Sequence, residues 1–205
     1  MRPQGILPFV AGSLALVLTG AASAQALSGP ALVQALQRGG YVIVMRHASS
    51  PREAPDAKTA NPDNNNHERQ LDPEGRSTAS AMGKALRDLK IPIGEVFSSP
   101  TYRALETVRL AALGKATPVP ELGDGGRSMQ VSSEAQAAWL RSRITRFPKG
   151  NNTILVTHFP NMSGAFPQDS KGLADGEALI FGPDGKGGAT LAARVKIEEW
   201  PHLRP

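Results

Sequence analysis

The chain has 205 residues and a net charge of +5, with 40% hydrophobic and 20% charged residues. That is enough apolar material for one packed domain, and the scattered basic residues form no nucleic-acid-binding arm. The absence of cysteine excludes disulfides, zinc–thiolate sites and lipid attachment at a cysteine.

The N-terminus reads as a secretory signal. Arg2 supplies a positive start, Ile6 to Leu18 is mostly apolar, and Ala22-Ser23-Ala24 is an A-x-A cleavage site. The apolar stretch is short for a membrane span. Cleavage after Ala24 is expected to leave residues 25–205 as a single α/β domain, periplasmic or secreted, without a stable membrane anchor.

Leu27 to Gln37 reads as a short helix, with Ser28 as cap and Gly39 as terminator. Tyr41 to Met45 is a continuous apolar run after two glycines, the pattern of a fully buried strand. It runs straight into Arg46 and His47. Residues 48–71 form a long polar loop, expected to lie over whatever that strand end carries. Asp72-Pro73-Glu74 is a helix start, and Ala79, Met82, Leu86 and Leu89 continue it at spacings of three and four.

Ile91 to Ile93 ends that helix, and Glu95 to Ser98 is a second strand. Ser98-Ser99-Pro100 is expected to open a helix bearing Arg103 and Thr107, with Pro100 in its first turn. Thr117 to Leu122 is an edge strand or extended loop, because of Pro118 and Pro120. Gly123 to Arg127 is a loop. Ser133-x-x-Gln136 is a capping box for a helix reaching about Phe147. Thr153 to Thr157 is another buried strand, ending at His158. Residues 159–176 look irregular. Ala178 to Phe181 and Thr190 to Ile197 read as two strands of a hairpin, and the tail from Glu198 as a surface segment.

This order predicts an α/β fold, a three-layer sandwich with a mainly parallel sheet between helices, plus a C-terminal antiparallel hairpin. Parallel strands bring their carboxyl ends to one side, where α/β proteins bind ligands. Arg46-His47, Ser98-Ser99 with Arg103, and His158 therefore converge. Arginine pairs with phosphate through parallel hydrogen bonds, and a neutral imidazole is a competent nucleophile. The pattern points to phosphoryl chemistry without a metal or other cofactor, since the histidines lack ligand spacing with acids.

These motifs resemble those of the histidine phosphatase superfamily, with its phosphoglycerate-mutase-like fold. Arg46-His47-Ala48 matches the family's Arg-His-Gly, with alanine replacing glycine. Ser98-Ser99-Pro100-Thr101-Tyr102-Arg103-Ala104-Leu105-Glu106-Thr107 matches Ser-Ser-Pro-x-x-Arg-Ala-x-x-Thr. Ile154 to His158 matches the strand that ends in the second histidine. The resemblance implies that His47 becomes phosphohistidine and that Arg46, Arg103 and His158 hold the phosphoryl oxygens. It adds Ser50 and Ser99 to the phosphate-binding set. The acid that protonates the leaving oxygen stays open between Asp124 and Glu177. The expected substrate is a small phosphorylated molecule or a cell-envelope phosphate group, with no nucleic acid partner. The alternative is a degenerate relative that binds phosphate or a phosphorylated ligand without turnover. A bell-shaped pH–rate profile is expected of a neutral nucleophile working with a protonated acid.

Overall fold

The computed structural model describes residues 26–124 and 131–205. The predicted signal peptide and part of the loop after Gly123 lie outside the described residues.

The first helix, α1, spans Gly29–Arg38, and its apolar face buries Leu32, Val33, Ala35 and Leu36. Gly39 ends it at φ 74°, a left-handed conformation that suits glycine. Strand β1 is Val42–Arg46, one residue later than the periodicity suggests. Arg46 thus closes the strand and His47 is the first residue beyond it.

Helix α2 is Pro73–Asp88, with the Asp72 carboxylate accepting from the Gly75 amide at 2.7 Å. Its first turn lies close to the segment after His47. A Cβ on Gly75 would meet the Ser49 carbonyl oxygen at 2.1 Å, so a side chain there would force the two apart. Strand β2 is Ile93–Ser98, beginning two residues before the expected Glu95. Hydrogen bonding to β4 pairs Ile93 with Asn152 and accounts for the extension.

Helix α3 is Tyr102–Leu110, with Thr101 as N-cap. Pro100 lies before the helix rather than in its first turn. The Ser99 hydroxyl accepts from the Thr101 amide at 3.2 Å and holds Pro100 in a separate turn. Strand β3 is only Thr117–Pro118, at the sheet edge, and Pro120–Leu122 is a 3₁₀ turn. Helix α4, Glu134–Arg143, carries the full Ser133/Gln136 capping box but stops short of Phe147.

Strand β4 is Asn152–Thr157 and is buried throughout. The expectation of an irregular segment from 159 fails: α5 is a helix at Phe159–Ala165. Pro160 lies in its first turn, where proline is tolerated, and Met162 and Ala165 bury its inner face. Strands β5, Ala178–Pro183, and β6, Ala189–Val195, form the antiparallel hairpin. The tail is not a plain surface segment. A 3₁₀ turn at Ile197–His202 buries Trp200 in the same apolar cluster as Met82 and Leu86 of α2.

The six strands run in the order β3-β2-β4-β1-β5-β6. The first four elements of that order are parallel, whereas β5 pairs antiparallel to β1. Alternation along β1 feeds two cores. Ile43 and Met45 join α1, α2 and α3, while Val42 and Val44 join α4 and α5. The sheet is the middle of three layers, as expected. Its central strands, β1 and β4, end side by side, with Arg46 opposite Thr157.

Candidate active site

The backbone around His47 is pinned from two directions. Its amide donates to the Thr157 carbonyl at 3.0 Å, extending the β1–β4 ladder by one bond. Its carbonyl accepts from Gly176 at 2.9 Å. The next amide, of Ala48, donates to the Thr107 hydroxyl at 3.1 Å, and that hydroxyl donates to the Arg103 carbonyl at 2.8 Å. Thr107 therefore ties the turn after β1 to the helix that carries Arg103. Ala48 is buried and lies outside the left-handed region, so its position imposes no backbone requirement for glycine.

His47 is buried, and its tautomer follows from its partners. Nδ1 lies 2.8 Å from the Ala48 carbonyl oxygen, which only accepts, so Nδ1 carries the hydrogen. Nε2 accepts from Arg103 Nε at 3.2 Å, so the lone pair is on Nε2. Burial, followed by the nearby Arg103 charge, pushes the imidazole pKa down from 6.5 to about 3. The ring is neutral at ordinary pH.

Arg103 is fully buried and connects the cluster. Its Nη2 pairs with Asp124 Oδ2 and donates to His158 Nδ1 at 3.1 Å. His158 in turn donates from Nε2 to the Ser99 hydroxyl at 2.8 Å, which makes it neutral as well. Burial pushes its pKa well below 6.5, and the neighbouring His47 lowers it further. The two imidazoles meet edge to face, with centroids 5.2 Å apart. Arg46 pairs with Asp175 at 2.5 Å, and its guanidinium lies 5.9 Å from the Phe159 ring centroid. Two buried guanidinium nitrogens, Arg46 Nε and Arg103 Nη1, find no acceptor among the described residues.

These groups share a cavity of about 780 Å³, lined by Arg46, His47, Ser50, Arg103, Asp124 and His158, with Arg52, Arg69, Phe159, Pro160 and Asp175 completing its walls. The structure thus brings together every sequence-predicted site residue except two. Ser99 lies behind His158 and orients it. Glu177 is buried elsewhere, accepting from the Ala174 amide at 2.9 Å and from Arg194 Nε at 2.8 Å. The predicted helix N-terminus has also moved. The leading amide of α3, at Tyr102, donates to Glu68 at 2.9 Å and is already satisfied.

Sequence reasoning missed Arg52, Arg69, Thr107's tie to Ala48, and Asp175. The 48–71 loop has no period to assign a face to Arg69, although the loop's length marked it as functional. It is held by its own side chains and by Glu106 of α3. Glu106 accepts from the Leu71 amide at 3.0 Å, Gln70 accepts from the Asn61 amide at 2.9 Å, and Ser50 donates to the Gln70 carbonyl at 2.9 Å. Among the described residues, no cluster of three or more metal-ligating side chains occurs.

The two neutral histidines make stability depend on pH. The unfolded chain binds protons at these side chains below about 6.5, whereas the folded chain refuses them until much lower pH. Their contribution is therefore fully present above 6.5 and lost as pH falls through and below that value. Urea unfolding between pH 6.5 and 5 should show the midpoint falling with acidification. In His47→Gln the slope should drop to about half.

Residues 42–124 match the model for the histidine phosphatase superfamily (branch 1). Among solved structures, the protein histidine phosphatase SixA complexed with tungstate superposes with a TM-score of 0.56 at 18% identity, covering 78% of this chain and 98% of that one. A phosphoserine phosphatase mutant from Entamoeba histolytica, in complex with phosphoserine, gives 0.54 at 13% identity, covering 77% and 98%. The product of open reading frame Rv3214 from Mycobacterium tuberculosis gives 0.52 at 16% identity, covering 76% and 96%. At these identities the structural likeness establishes the fold. Comparison with curated proteins by sequence finds no match.

Proposed function

We propose that this chain, which carries the branch 1 histidine phosphatase signature over residues 42–124, is a phosphatase that hydrolyses a phosphomonoester through a phosphohistidine on His47. One observation carries the reading: a neutral imidazole with its Nε2 lone pair in a cavity beside two buried guanidinium N–H groups that find no acceptor among the described residues. Tetrahedral phosphate oxygens suit such donors, and a neutral Nε2 suits attack on phosphorus.

In the first step Nε2 bonds to phosphorus as the bond to the leaving oxygen breaks. The Nδ1–H bond to the Ala48 carbonyl stabilises the positive charge that grows on the ring. Arg46 and Arg103 hold the equatorial oxygens, Arg103 exchanging its bond to His47 for one to phosphate. The leaving oxygen takes a proton from Asp124, which has to enter this step protonated, its pairing with Arg103 released as that guanidinium turns to the phosphoryl oxygens. In the second step water attacks phosphorus, the Nε2–P bond breaks, and the Asp124 carboxylate takes back the water's proton. Asp124 is assigned this role because it lines the cavity, whereas Glu177 does not. His158 holds the other end of the Arg103 fork, and Ser99 fixes its tautomer.

Hydrolysis of phenyl phosphate in excess EDTA tests the activity, which should persist undiminished. Asp124→Asn separates the acid from the scaffold. An acid matters more for a poor leaving group. The rate should therefore fall at least about tenfold more on an alkyl phosphate than on p-nitrophenyl phosphate. Equal losses on both would leave Asp124 as a partner of Arg103 alone.

The location of this activity rests on the A-x-A site at Ala22–Ala24, which supports export. No helix among the described residues is long and apolar enough to cross a membrane. A neutral nucleophile beside a buried acid favours turnover over the alternative of a phosphate-binding protein.

A further inference from the structure

An acid that gives up an ion pair during the reaction needs its backbone held by other means. Asp124 is such a group, because Arg103 turns from it to the phosphoryl oxygens. Its carboxyl has to stay at the cavity wall through that exchange. The three carbonyls that precede it, of Glu121, Leu122 and Gly123, are where the structure fastens the segment.

Asn161, on α5, donates from Nδ2 to the Glu121 carbonyl at 3.1 Å and to the Gly123 carbonyl at 3.2 Å. Between them, the Thr157 hydroxyl donates to the Leu122 carbonyl at 2.7 Å. Gln136 of α4 adds a bond to the Gly123 carbonyl at 2.8 Å, while its own side-chain oxygen serves the capping box. Thr157 is also the residue whose carbonyl receives the His47 amide. The end of β4 therefore sets the acid's segment and the nucleophile against the same residue.

Asn161 makes two of these bonds and is 1% exposed. Its orientation follows from the two carbonyls that face Nδ2, since both only accept. Its Oδ1 is buried and finds no partner among the described residues. A buried acceptor left unpaired is unfavourable. Packing alone would be served better by an apolar side chain, so the contribution of asparagine here is the pair of bonds it donates. It stands three residues after His158, so the helix that begins beside the second imidazole also fastens the acid.

We infer that Asn161, together with Thr157, positions the leaving-group acid, holding the 121–123 backbone so that the Asp124 carboxyl remains at the cavity wall when Arg103 turns away. This inference deepens the phosphatase reading and rests on it, including the role of Asp124. Asn161 does not line the cavity. Its loss impairs proton donation and spares the binding of phosphate.

The test compares kcat/KM on p-nitrophenyl phosphate with kcat/KM on ethyl phosphate, and measures inorganic phosphate binding by calorimetry. In Asn161→Ala the rate on ethyl phosphate should fall about fivefold further than the rate on p-nitrophenyl phosphate, the selective loss that marks a misplaced acid. Asn161→Leu, which fills the space without the donors, should behave alike. Affinity for inorganic phosphate should stay within about twofold of wild type in both. Thr157→Val should show the same selectivity in smaller degree. Added to Asp124→Asn, Asn161→Ala should bring no further selective loss, because both act on one proton transfer. Leu179→Ala on β5 removes a fully buried side chain of the core that α5 joins. It should lower the urea midpoint and leave the ratio of the two rates unchanged. Equal losses on both esters in the Asn161 variants or in Thr157→Val would overturn the inference and leave the phosphatase reading standing, as would a shifted ratio in Leu179→Ala. Equal losses in Asp124→Asn would overturn it at its premise. Hydrolysis of neither ester by wild type would refute the phosphatase reading and the inference with it.

Discussion

His47→Gln is expected to lower kcat/KM for phenyl phosphate by at least about 10⁴-fold, because the nucleophile is removed rather than impaired. The substitution keeps a polar side chain beside Ala48 and Arg103, so the fold should survive. Two features make the loss this large. In the proposed mechanism Nε2 is the atom that bonds to phosphorus, and the tautomer is set by the Ala48 carbonyl. Circular dichroism and the pH slope of unfolding would separate loss of chemistry from loss of structure. A folded variant that keeps a tenth of wild-type activity would exclude His47 as nucleophile.

Arg103→Met is expected to have the second-largest effect, and to act on stability as well as activity. Arg103 is fully buried and pairs with Asp124, itself buried. Removing the guanidinium leaves a carboxylate without its main partner, a change that costs about 3–5 kcal/mol in buried pairs. It also removes a donor aimed at the phosphoryl, worth about 10²–10³ in rate. The two losses are separable. In the double variant Arg103→Met/Asp124→Leu the orphaned charge is gone, so stability should return towards wild type, while activity should not. A double variant as unstable as the single one would mean that Arg103 supports the fold through something other than its ion pair. The measurements are a urea midpoint and kcat/KM on phenyl phosphate.

The convergence of Arg46, His47, Arg103 and His158 was legible in the sequence because it depends only on strand direction. Arg46, His47 and His158 stand at strand ends and Arg103 lies in the first turn of the helix after β2, and parallel strands bring such ends together. The sheet was legible from the short apolar runs Val42–Met45 and Ile154–Val156, which read as buried central strands. What was hidden came from contacts between segments distant in the chain. Helix α5 was obscured by Pro160 and Gly164, which read as breakers. Pro160 is harmless in a first turn, and Gly164 lies against the Ser132 side chain. The tail from Glu198 read as surface because the turn that buries Trp200 depends on α2, which no local pattern announces. Arg69 sits in a loop whose shape is set by side-chain-to-backbone bonds rather than by a period. Glu177 was a reasonable acid from its place before a strand, but its partner Arg194 lies on the neighbouring strand β6, a pairing that only the hairpin register reveals.

The central claim is the covalent bond between His47 and phosphorus, and the most direct measurement is to trap it. Mature wild-type protein and His47→Gln would be mixed briefly with phenyl phosphate labelled in its phosphoryl group, in excess EDTA, and quenched in alkali. The account predicts a label on wild type alone that survives base and is released by acid, as phosphohistidine is. A label of the same stability on His47→Gln, or steady turnover by wild type with no trapped label under any quench time, would contradict it.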